Sequence, residues 1–119
     1  MTLSPLAVRV RDAMNRESIA VPAHFDAEVL SIVERFLRRG EMDFALATRA
    51  LWRLAQLPAE RVALPPLLAQ AFALRDRFSA YDALYVALAE RLRAPLLTLD
   101  AELARAAEGL LDVILITAG

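Results

Sequence analysis

Three carboxylates in this 119-residue chain stand where an acid can do more than face water: Glu28, Asp82 and Asp100. In helical projection Glu28 lies between Phe25 and Ile32, on the flank of an apolar stripe, where an acid needs a cation or an outlet to solvent. Asp82 stands three residues after Ser79 and heads a helical row that continues through Tyr85, Val86 and Ala89. Asp100 directly follows the apolar run Leu96-Leu-Thr-Leu99. Each also has a plain structural reading. Glu28 reads as a boundary acid, Asp82 as part of a capping box with Ser79, and Asp100 as the N-cap of the next helix. Asp26 is more simply a first-turn acid. Carboxylates from separate segments meeting at one strand edge would make an all-oxygen site of the kind Mg²⁺ and Mn²⁺ favour. Such an ion activates water and stabilises the departing oxyanion in phosphodiester cleavage. Periodicity alone does not bring the three acids together.

Other chemistries are poorly supplied. Cysteine is absent, which excludes disulfides, thiolate metal sites and thiol nucleophiles. His24 is the single histidine; beside Pro22 and ahead of a helix it reads as exposed or capping, and a zinc site would lack further ligands. Ser18, Ser31 and Ser79 lack the flanks of a nucleophile elbow, and there is no glycine-rich phosphate loop. The 14 basic residues, all arginine, are balanced by 15 acids to a net charge of −1, so no basic excess provides a nonspecific grip on nucleic acid. Arg35, Arg38 and Arg39 form a basic helix end suited to RNA phosphates or simply to solvent. Trp52, beside Leu51 and near Leu54, reads as core.

Elements must position these residues, and their pattern is that of an α/β fold. Ser4 and Pro5 mark the start of a short amphipathic helix over Pro5–Arg16, with Leu6, Val8, Val10 and Met14 as its apolar positions. Ser18–Pro22 reads as a buried strand. His24–Arg39 and Met42–Gln56 carry helical periodicity and meet at Gly40, as two adjacent antiparallel helices. Arg61–Leu64 reads as a strand, Leu67–Arg75 as a helix, and Ser79 opens another helix through Arg91. Pro95–Leu99 is a strand, Ala101–Ala107 a helix and Val113–Ile116 a last strand. Apolar β-rich runs alternating with helices predict a parallel sheet, whose ligands belong at the strand carboxyl ends; Asp100 falls at that edge. The length predicts one domain over 1–119. Apolar runs are too short for a membrane span and no signal-peptide zones open the chain, so a soluble, cytoplasmic protein is expected. At 58% apolar the composition exceeds what one small core hides, and part of the surface is expected to meet another chain.

The segment Ser79-Ala-Tyr-Asp-Ala-Leu-Tyr-Val-Ala-Leu-Ala-Glu90, followed by Ala94-Pro-Leu-Leu-Thr-Leu-Asp100, resembles the PIN-domain toxins of the VapC type. The resemblance extends upstream through Val21-Pro22 and Asp26-Ala-Glu-Val-Leu30, and spans about residues 5–116. It implies a three-layer α/β/α sandwich with a mostly parallel sheet, and a Mg²⁺- or Mn²⁺-dependent endoribonuclease acting on RNA. It also implies a cognate antitoxin as partner and a homodimer. Glu28, Asp82 and Asp100 match the family's metal-binding acids, Thr98 a hydroxyl residue beside the last of them, and Glu102, more weakly, an extra acid.

One departure accompanies the match. The family opens with an apolar strand ending in an aspartate, and that strand should precede Ser4-Pro5-Leu6. It has no counterpart here, so the chain is expected to be an N-terminally shortened form. The metal would keep three candidate carboxylates, Asp12 being too far along the first helix to substitute. The missing strand is central in the family's sheet, between those matching 19–22 and 95–99, so its loss predicts an apolar slot and unpaired backbone. Two functions stay open at this point: a ribonuclease toxin, or a catalytically silent remnant that binds an antitoxin or itself. A plain α/β interaction domain whose acids only cap helices is the third reading.

Overall fold

The computed structural model describes residues 6–11 and 17–116. Contacts divide them into two compact units. One holds the described residues up to Ala23 together with those from Ala59 onward; the other is His24–Pro58.

The larger unit is built on a five-stranded sheet of β1 (Leu6–Arg11), β2 (Glu17–Pro22), β3 (Ala59–Val62), β4 (Leu96–Thr98) and β5 (Val113–Leu115), in the order β3-β2-β1-β4-β5. β2 pairs parallel with β3 and β4 parallel with β5, while β1 runs antiparallel to both of its neighbours, β2 and β4. Four strands therefore share one direction, and the α/β class with its mostly parallel sheet holds.

β1 corrects the expectation of a helix over Pro5–Arg16. Leu6, Val8 and Val10 alternate with Ala7 and Arg9 at the two-residue period of a strand, and β-branched valines fit a pleated surface. Leu6 and Val8 are fully buried. The strand occupies the central position for which an open slot was expected: Val8 pairs with Ala20 on one side and Leu96 on the other. A reversed strand thus satisfies the backbone groups of β2 and β4. The remainder of the predicted helix, with its Ser4 cap, Pro5, Asp12 and Met14, lies outside the described residues.

After β3, Pro65–Leu67 forms a 3₁₀ turn that leads into α3 (Leu68–Ala73). The next helix, α4 (Ala80–Leu92), is apolar almost all round, and residues 83–89 are all buried. It packs on β1, β2, β4, α3 and the 3₁₀ turn, which makes it the core of this unit. Its end is a left-handed residue, Arg93 at φ +50°, with Ala94 N–H returning to the Ala89 carbonyl at 3.0 Å. That closes the last turn as a Schellman motif, here without the usual glycine. β4 then passes through Asp100 into α5 (Ala101–Ala106), which returns to β5.

The smaller unit is a helical pair, α1 (Phe25–Arg38) and α2 (Phe44–Ala55), packed on each other. Gly40 at φ +70° reverses the chain, and Glu41 N–H bonds the Phe36 carbonyl at 2.9 Å. Asp43 Oδ1 caps α2 by accepting from Leu46 N–H at 2.7 Å. The predicted boundaries hold within a few residues, but Trp52 corrects its expected place in the core: it is 66% exposed. No described helix is long and apolar enough to cross a membrane.

Candidate metal centre

The backbone brings two of the predicted acids to one cleft. Asp100 stands where β4 ends and α5 begins, at the carboxyl edge of the sheet. Its Oδ1 accepts from Glu102 N–H at 2.9 Å and from Leu103 N–H at 3.3 Å, so it is the N-cap the sequence predicts. Asp82 lies in the first turn of α4, where Ser79 Oγ accepts from its backbone N–H at 3.2 Å. Both acids line a cleft of about 250 Å³ with Arg77, Phe78, Ser79, Glu102, Leu103 and Ala106. Two helix N-termini open onto this cleft, and their dipoles favour negative charge there.

Thr98 is fully buried at the end of β4, and its Oγ1 accepts from Asp100 N–H at 3.0 Å. It therefore helps set the direction in which the chain leaves the strand. Glu102 is exposed and lines the same cleft.

Glu28 belongs to the smaller unit, in the first turn of α1. Its Oε1 stands 3.2 Å from His24 Nε2, with the two side chains 22% and 11% exposed. This corrects the expectation for His24. It occupies the N-cap position of α1 without a side-chain capping bond, and it is largely buried beside Glu28.

The donor set of the cleft suits a hard cation. Its lone-pair donors are the carboxylates of Asp82, Asp100 and Glu102 and the Ser79 hydroxyl, with the Arg77 guanidinium beside them and neither sulfur nor imidazole among the lining residues. Capping and cation binding are compatible, since a carboxylate carries about four lone-pair sites. Among the described residues no three His, Asp or Glu side chains form a ready cage for an ion. Two carboxylates can still serve Mg²⁺, which keeps several waters and takes one or two carboxylates alongside substrate phosphates.

Arg77 is the residue that sequence reasoning missed. It falls in the gap between the helices predicted over Leu67–Arg75 and from Ser79, yet its Nη2 donates to the carbonyls of Ala106 and, at 3.3 Å, Glu108. The partners lie 29 and 31 residues away, and no local pattern announces such a contact.

Comparison with known proteins accords with this geometry. The PIN-domain family model matches residues 3–109. The protein named Ribonuclease VapC3 of Mycobacterium tuberculosis is 47% identical over 97 residues, covering 82% of this chain and 71% of that protein. Ribonuclease VapC9 of the same organism is 36% identical over 103 residues, covering 82% and 81%. Ribonuclease VapC12 is 32% identical over 105 residues, covering 88% and 81%. A family match over most of the chain, with relatives at these identities, places the resemblance read from residues 79–100 beyond a local motif: the chain belongs to the PIN-domain family, in its VapC-type branch.

Proposed function

We propose that this chain is a metal-dependent endoribonuclease toxin of a toxin–antitoxin pair, hydrolysing RNA phosphodiesters. The observation that carries the reading is the shared cleft of Asp82 and Asp100 at the sheet's carboxyl edge, in a chain whose relatives are named ribonucleases. Asp82 and Asp100 would hold Mg²⁺ or Mn²⁺. Glu28 is proposed as a third contributor from its match to the family's acids, with Glu102 as a weaker one. When bound, the ion would supply charge stabilisation at the phosphodiester and lower the pKa of the attacking water. The chain's own part is to hold two carboxylates at a fixed edge, through the Ser79 cap on α4 and the Thr98 and Asp100 bonds at the head of α5. With a net charge of −1, grip on the scissile phosphate falls to the ion rather than to a basic surface.

The partners proposed are a cognate antitoxin and a second copy of the chain, with the cytoplasm as the compartment. Exposed apolar side chains support a protein partner. Leu68 and Phe72 are 54% and 68% exposed along a groove of about 620 Å³ that also includes Ala71, Phe78 and Leu84. The binding-only reading loses its main support, because the centre of the sheet is filled by β1.

Cleavage of a mixed RNA pool with Mg²⁺ or Mn²⁺ tests the proposal. Wild type should cut, chelation should stop it, and Asp82→Asn and Asp100→Asn should each abolish it while staying folded. Cleavage that survives either substitution would remove the assigned site.

A further inference from the structure

We propose that Arg77 is a positioning residue for the metal site: it ties the far end of α5 to the segment that opens α4 and so sets the spacing of Asp100 and Asp82. The inference rests on reading the cleft as a metal site. α5 has six residues, less than two turns, and a helix that short is marginal without external support. Its N-terminus is held by Asp100. At its other end the last carbonyls have no intrahelical partner, and a cation there is favoured by both hydrogen bonding and the helix dipole. Arg77 supplies that cation. Nη2 donates to Ala106 O at the last helical residue and to Glu108 O just beyond it.

The Arg77 side chain is exposed, but its backbone leads directly into anchored residues. The next residue, Phe78, is buried at 7% exposure, and Ser79 then caps α4 and receives the Asp82 N–H. A single side chain therefore joins the start of the helix that bears Asp82 to the end of the helix that Asp100 caps. The same side chain lines the cleft between them. With Nη2 directed to the carbonyls of Ala106 and Glu108, the role argued for Arg77 is to position the acids.

Position and charge make opposite predictions, which separates the two roles. A cation beside a metal site repels the metal, so if Arg77 were only a countercharge its removal would tighten Mn²⁺ binding. If it sets the spacing of the carboxylates, removal loosens the site and weakens binding, by about tenfold, the low end of what losing a group bonded directly to a metal ligand costs, since Arg77 acts on the ligands through α5.

The test is titration of the folded protein with Mn²⁺ alone, free ion being read by electron paramagnetic resonance, for wild type, Asp82→Asn, Arg77→Met and Arg77→Lys. Arg77→Met keeps the apolar stem and removes the donors. The expected result is tight binding by wild type, loss in Asp82→Asn, an affinity about tenfold weaker in Arg77→Met, and partial recovery in Arg77→Lys. An unchanged or tighter affinity in Arg77→Met overturns the proposal, even if its melting temperature falls. Should Arg77→Met fail to fold, Arg77→Lys decides: binding several-fold weaker than wild type supports the proposal, and equal binding overturns it. Wild type that binds no Mn²⁺, or Asp82→Asn that binds like wild type, instead removes the metal reading and the positioning role with it.

Discussion

Asp100 caps α5 and, on the proposed reading, would also hold the ion, two roles that substitution can separate. As an N-cap it accepts two backbone N–H groups of α5, and asparagine caps nearly as well as aspartate. As a metal ligand it needs its negative charge. Asp100→Asn should therefore leave the metal-free protein as stable as wild type or slightly more so, since one acid fewer faces Asp82 in the cleft. Asp100→Ala should cost about 1 kcal/mol through the lost cap. Wild type should gain about 2.7 kcal/mol at a Mn²⁺ concentration a hundred times its dissociation constant, and both variants should gain none. Denaturant unfolding with and without Mn²⁺ measures all three quantities. A pure cap would show the alanine loss with no metal effect in any of the proteins.

At the scale of elements, β1 is the decisive piece. Its amides donate into ladders on both sides, so Val8 and its neighbours should exchange hydrogen slowly, with protection comparable to that of β4. Rapid exchange across Leu6–Arg11 would mean that the centre of the sheet is not closed by this strand. This element was also the least legible in the sequence. Leu6, Val8 and Val10 carry a strand's period, but Ser4-Pro5 and the interleaved Arg9 and Arg11 resemble a helix start, and only pairing with β2 and with β4, far along the chain, decides between the two. By contrast, residues 79–106 were readable because their signals are local: a Ser-x-x-Asp cap, an apolar helix, and a strand that runs through aspartate into a helix. Trp52 shows another limit, since helical spacing identifies an apolar face but not what covers it. Arg77 shows the strongest one, its contact spanning 29 residues with nothing local to mark it.

Over the whole molecule the chemistry is concentrated rather than spread. Charge is balanced, no basic face is needed, and the larger unit directs both Asp82 and Asp100 to one edge of its sheet. The burial of α4 makes that edge stiff, because the helix that carries Asp82 is also the centre of the core. Apolar residues on α3, with the groove beside them, leave an exposed apolar surface within the same unit. The central claim is that this edge holds a divalent ion between carboxylates, and crystals soaked in Mn²⁺ test it most directly. The account predicts an anomalous-scattering peak in the cleft at about 2.1 Å from oxygens of Asp82 and Asp100. A protein that cleaves RNA with Mn²⁺ yet shows its peak elsewhere, or none at these two residues, would contradict it.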